Sequence, residues 1–194
     1  MKNIFLIGDS IRMGGPPESL GYEFYMKEKL GDKVKIYSTD DNCRFVHYTL
    51  RYLHEWAMDI DRESIDVVHW NNGLWDILRL YGDQPLTSID AYGETLERIY
   101  KRIRLLFPNA KIIFALTTAV VESRMGADFN RRNADIEAYN SKAKEVLGAF
   151  NVEFNDLYSI TSDFDESMYC DGTHLCEKGC KTLADAVIKA CEIC

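Results

Sequence analysis

Three residues of this chain carry the groups needed for nucleophilic acyl chemistry, and they lie at its two ends. Ser10 closes the run Ile4-Phe5-Leu6-Ile7-Gly8-Asp9-Ser10, while Asp171 and His174 stand together in Asp171-Gly172-Thr173-His174. A serine hydroxyl is a poor nucleophile until a base takes its proton, and histidine is the usual base. A carboxylate beside the imidazole fixes its tautomer and supports the charge it gains. Asp-x-x-His occurs twice in the chain, at 66–69 and at 171–174. The first copy falls within an apolar strand pattern, where residues three apart point to opposite faces, so Asp66 does not orient His69. The second lies in a Gly-containing loop before the last helix, where a turn brings Asp171 behind the imidazole of His174.

Something must carry residues so distant in sequence to one place. Short runs rich in Val, Ile and Phe read as strands at Asn3–Ile7, Lys33–Ser38, Ile65–Trp70, Ala110–Thr117 and Asn151–Phe154. Between them apolar residues recur at steps of three and four. Tyr92, Leu96, Ile99, Ile103 and Leu106 form one such stripe after Ser88, closed by Pro108. Ile136, Tyr139, Ala143, Val146 and Phe150 form another, and helices are also expected over Glu18–Leu30, Phe45–Met58 and Glu177 to Ile193. Alternation of this kind predicts a three-layer α/β sandwich around a five-stranded parallel sheet of order 2-1-3-4-5, with residues 1–194 as a single domain. In such sheets ligands bind beyond the carboxyl ends of the strands, which is where Ser10 and the His174 loop fall. The aperiodic stretch Val120–Arg131 follows the fourth strand and is expected on the rim of the site.

Composition excludes several alternatives. The 194 residues suit one core of ordinary size, and 23 basic against 31 acidic residues give a net charge of −8, which argues against nucleic-acid or anionic-membrane partners. Only four apolar residues precede Gly8, too few for a signal-peptide core, so a cytoplasmic location and reduced cysteines are expected. Cys191-Glu192-Ile193-Cys194 has the spacing of a metal or redox pair but no second pair to complete a zinc site. His47 and His54 share a helical face and lack a third ligand. No metal and no cofactor are expected.

Gly8-Asp9-Ser10 after the first strand and Asp171-Gly172-Thr173-His174 before the last helix resemble the first and last sequence blocks of the SGNH (GDSL-type) hydrolases. The resemblance implies a flavodoxin-like α/β/α fold and ester hydrolysis. It makes Ser10 the nucleophile, His174 the base, Asp171 its orienter and the Ser10 N–H one oxyanion donor. The middle blocks depart from the family pattern. Asn71-Asn72-Gly73-Leu74-Trp75-Asp76 puts Trp75 where the third block has its oxyanion asparagine, and Asn71 is the better candidate for a relocated amide. Asp41-Asn42-Cys43-Arg44 lacks the second-block glycine, leaving the backbone N–H of Cys43 or Arg44 as donor.

Arg12 and Arg44 are candidates to bind a carboxylate or phosphate of the substrate. Trp70, Trp75 and Tyr81 are candidates for a sugar-stacking face. Together these readings point to an esterase acting on a small acylated molecule, acetyl first, with carbohydrate as the first substrate class to try. The rival is a non-catalytic α/β binding module with a degenerate site. The Ser10–His174 distance separates the two.

Overall fold

The computed structural model describes residues 1–15 and 19–193. Five strands form one all-parallel sheet: β1 (Lys2–Ile7), β2 (Val34–Ser38), β3 (Val67–Trp70), β4 (Lys111–Ala115) and β5 (Glu153–Asn155), in the order β2-β1-β3-β4-β5. The predicted order is therefore the observed one. Among the described residues seven α-helices accompany them: α1 (Ser10–Met13), α2 (Tyr22–Leu30), α3 (Val46–Trp56), α4 (Ile89–Leu106), α5 (Asn133–Gly148), α6 (Leu157–Ser162) and α7 (Glu177–Ala190). Helices α3, α4 and α5 pack side by side, and α2, α6 and α7 form the other layer.

Alternation along the strands assigns each side chain to a layer. Phe5 meets Phe107 below α4, and Trp70 meets Phe114 edge-on at 4.8 Å on the same face. Ile4, Leu6, Val67 and Ile113 point the other way. Both faces are buried, which is why the central strands read as nearly continuous apolar runs. His69 belongs to the α2 and α7 face, with the Tyr22 ring edge-on at 6.1 Å and Asn155 Nδ2 at 3.1 Å from its Nε2. Burial pushes its pKa down to about 3, so the ring is neutral. The Asp66 carboxylate accepts the Asn3 N–H at 2.7 Å and leaves His69 alone.

Element ends differ from the sequence expectation for local reasons. The strand expected to run to Thr117 stops at Ala115 because the Thr117 N–H turns to the Asn140 side chain at 2.8 Å. The last strand starts late because Asn151, at φ 56°, closes α5. Helix α2 begins at Tyr22, since Ser19–Leu20 pair with Gly14–Gly15 in a small antiparallel ribbon. Glu18, expected at the start of that helix, and Cys194, the partner in the terminal cysteine pair, lie outside the described residues. Among the described residues no helix is long and apolar enough to cross a membrane.

Candidate active site

Strand β1 is followed by Gly8, whose carbonyl accepts from Arg12 Nε and the Cys43 N–H, both at 3.3 Å. A side chain on Gly8 would meet Arg12 Cβ at 2.9 Å, so the approach requires glycine. Asp9 then caps α1, accepting the Ile11 N–H at 2.9 Å on its side chain and the Arg12 and Met13 N–H groups on its carbonyl. Ser10 is the first residue of that turn, a position whose N–H has no partner inside a helix. It has no acceptor among the described residues. Asp9 is buried, and burial raises its pKa against the Ile11 hydrogen bond and the charges of Arg131, His174 and Arg12.

The loop between α6 and α7 brings the other two groups to this point. The Ser10 hydroxyl lies 2.9 Å from His174 Nε2, and His174 Nδ1 lies 2.7 Å from Asp171 Oδ2. The second carboxylate oxygen of Asp171 accepts the N–H groups of Thr173 and His174, each at 2.6 Å. Burial alone would raise the Asp171 carboxyl, but the His174 ring and the two N–H groups outweigh it and hold it below the usual range. An ionised carboxylate beside Nδ1 leaves the proton on that nitrogen and a free lone pair on Nε2, the tautomer that accepts from a serine hydroxyl. Sequence reasoning expected these three residues to meet, and they do.

The triplet opens into a cleft of about 660 Å³, within the range of small-molecule sites. The segment expected on the rim supplies much of one wall, from Arg124 to Arg131. Trp75 also lines the cleft. The rest of the aromatic expectation divides. Trp70 is buried with its indole N–H on Asn72 Oδ1 at 2.7 Å, and Tyr81 is 82% exposed, away from the cleft lining.

Four expectations need correction. The Cys43 N–H is committed to the Gly8 carbonyl and the Arg44 N–H to Asn42 Oδ1 at 2.9 Å, so neither is an oxyanion donor. Asn71 gives its amide to the Ala115 carbonyl at 2.8 Å. It lines a small cavity of about 10 Å³ with Asp9, Tyr22 and Thr118, not the cleft. Arg12 is 2% exposed, paired with Glu23, and bonded to the carbonyls of Thr39 and Asp41 at 2.8 and 3.1 Å. It fastens three segments together and reaches no substrate. Arg44 is exposed, packs its guanidinium over the Tyr48 ring at 4.9 Å, and stands outside the cleft lining.

Two residues that sequence reasoning passed over take their places. Asn42 lines the cleft, and its own N–H has no acceptor among the described residues. Its loop is pinned by buried Asn72, which donates to the Arg44 carbonyl and Thr49 Oγ1, both at 2.9 Å. Arg131 stands in the cleft wall with Nε on the Leu74 carbonyl at 2.6 Å and Nη1 3.4 Å from Thr173 Oγ1. The neighbouring Gly73 has no room for a side chain, since a Cβ there would lie 2.0 Å from Thr117 Oγ1. Among the described residues, no group of three or more His, Cys, Asp or Glu side chains is placed to hold a metal ion.

A sequence model of the GDSL-like lipase/acylhydrolase family matches residues 6–181. No curated protein matches the chain. The lipase/acylhydrolase of Enterococcus faecalis superposes with a TM-score of 0.78 at 20% identity, covering 98% of this chain and 95% of that one. An acetyl xylan esterase, AlAXEase, gives 0.75 at 19% identity over 97% and 98% of the two chains. The Clostridium thermocellum family 3 carbohydrate esterase gives 0.71 at 18% identity over 97% and 94%. At such identities the likeness is one of fold.

Proposed function

The chain belongs to the GDSL-like lipase/acylhydrolase family, and from that premise we propose that it is a serine esterase removing a small acyl group, acetyl first, through an acyl-enzyme. The observation that carries the reading is the unbroken chain of hydrogen bonds from Ser10 Oγ through the His174 ring to Asp171, at 2.9 and 2.7 Å. A binding module with a degenerate site has no need to keep it.

In the proposed reaction Ser10 Oγ attacks the ester carbonyl carbon as its proton passes to His174 Nε2, and Asp171 supports the imidazolium. The carbonyl oxygen becomes an oxyanion, held by the N–H groups of Ser10 and Asn42. Each donor is worth roughly 3–4 kcal/mol in the transition state. Collapse of this intermediate breaks the bond to the alcohol, which leaves with the proton from His174. Water then gives a proton to His174, its oxygen attacks the acyl carbon, and the carboxylic acid departs as Ser10 Oγ regains its proton.

Carbohydrate esters are the substrate class to try first. The acetyl xylan esterase and carbohydrate esterase folds support that choice, as do the aromatic rings of Trp75 and Phe129 in the cleft. The test is acetate release from 4-nitrophenyl acetate and from acetylated xylo-oligosaccharides. Turnover of the aryl ester that drops by about 10³-fold or more in Ser10→Ala supports the reading. Turnover equal in the two proteins sinks it.

A further inference from the structure

The mechanism above makes no use of Arg131, and its surroundings are unusual for a cation. It is 5% exposed, and what remains accessible belongs to the cleft wall. Its two hydrogen-bond partners, the Leu74 carbonyl and the Thr173 hydroxyl, are neutral. Among the described residues no carboxylate lies within ion-pairing distance of it. Arg12, which is also buried, is balanced differently, since it pairs with Glu23. Burial of an unpaired cation is costly. It lowers the Arg131 pKa to about 10, against the fields of Asp9, one of whose oxygens accepts the Ile11 N–H while the other is buried with no hydrogen-bond partner among the described residues, and of Asp171, which holds His174.

The guanidinium is also held in a fixed attitude. Its carbon lies 5.9 Å from the Trp75 ring centre and 5.2 Å from that of Phe129. With Nε tied to Leu74, Nη2 is left with no protein acceptor among the described residues. A planar fork with uncommitted N–H groups, in the wall of the cleft that holds Ser10, is suited to a carboxylate.

We propose that Arg131 anchors a carboxylate of the substrate, so that the enzyme prefers esters carrying a negative charge close to the scissile bond. The inference rests on the serine-esterase reading and adds a substrate class to it. The carboxylate can belong to the acyl side, as in the half-ester of a dicarboxylic acid, or to the alcohol side, as in an acetylated uronic acid.

Two matched pairs separate these sources: 4-nitrophenyl hydrogen succinate against its methyl ester, and an acetylated methyl glucuronoside against the acetylated methyl glucoside. The wild type should favour the acidic member of one pair by about tenfold or more in kcat/KM, the scale of a charge-assisted hydrogen bond. Arg131→Met should abolish that preference, chiefly through KM. Arg131→Lys, which keeps the charge but loses the fork, should retain part of it. Should Arg131→Met fail to fold, Arg131→Lys and inhibition of wild-type acetate hydrolysis by succinate against succinamide, and by glucuronate against glucose, decide the matter.

A wild type indifferent to charge in both pairs overturns the inference. So does an Arg131→Met variant that loses kcat equally on acidic and neutral esters, which assigns the guanidinium to the oxyanion. A wild type inert toward every ester and unreactive with a fluorophosphonate overturns the serine-esterase reading itself. An active enzyme blind to carboxylates overturns only the anchor.

Discussion

Gly15 lies in the small ribbon after α1 and has no chemistry of its own, yet a methyl group there should disable the enzyme. A Cβ added to Gly15 falls 2.5 Å from His174 Nε2 and 2.6 Å from Cδ2. Ordinary contact begins near 3.4 Å, so the ring must give way by about 0.9 Å. The Ser10–His174 bond is 2.9 Å long, and such a shift breaks or misaligns it. Misplacement of a reacting group by about 1 Å costs on the order of 100-fold in rate, or about 2.7 kcal/mol of transition-state stabilisation. Gly15 lies outside the left-handed region of backbone space, so alanine brings no backbone strain and the melting temperature should hardly change. The assay is kcat/KM for 4-nitrophenyl acetate beside thermal unfolding. Gly148→Ala serves as control, since nothing lies within 4 Å of its added Cβ. A Gly15→Ala enzyme with wild-type kcat/KM would refute the reasoning, because His174 would then not work from the position described.

Three other substitutions probe the surroundings. Asp171→Asn keeps the size of the group but stabilises the wrong imidazole tautomer, and kcat should fall by about 10⁴ with unfolding unchanged; a loss below tenfold would contradict the assignment. Burial raises the Asp76 carboxyl from 3.8 to about 7. The folded protein therefore favours its protonated form, and the stability this brings is complete below about pH 4 and is lost as pH rises through about 7, on the order of 4 kcal/mol in all. Urea unfolding at pH 4, 6 and 8 should show wild type losing ground to Asp76→Asn as pH rises; parallel curves would contradict this. Arg12→Met takes from Glu23 its buried partner, leaving it Lys27 and Ser38, and should cost about 3 kcal/mol in urea unfolding. A raised KM at unchanged stability would instead return Arg12 to substrate binding.

The sheet order and the Ser10–His174–Asp171 meeting were legible because each rests on a local signal. Strands buried on both faces show as apolar runs, and loops at the carboxyl edge of a parallel sheet converge whatever their separation in sequence. The decoy pair Asp66 and His69 could be set aside by strand alternation, and in the fold His69 bonds Asn155 while Asp66 bonds Asn3. What could not be read is the use of each N–H and each guanidinium. The backbone donors of Cys43 and Arg44 look available until Gly8 and Asn42 are seen to take them. Asn71 has the right residue type in the right loop, but its amide completes the hydrogen bonding at the end of β4. Arg12 and Arg131 are alike in sequence, both arginines in irregular stretches near the site. Only Glu23, eleven residues beyond Arg12 and in the first turn of α2, makes the first structural, and only the cleft wall offers the second to a ligand.

The central claim is that Ser10 is a nucleophile activated by His174, and covalent capture tests it most directly. Wild-type protein treated with a fluorophosphonate should gain the mass of one adduct, located on the peptide bearing Ser10. Ser10→Ala should remain unmodified and His174→Ala should react far more slowly. Wild type that stays unmodified, or an adduct formed equally in Ser10→Ala, would contradict the account.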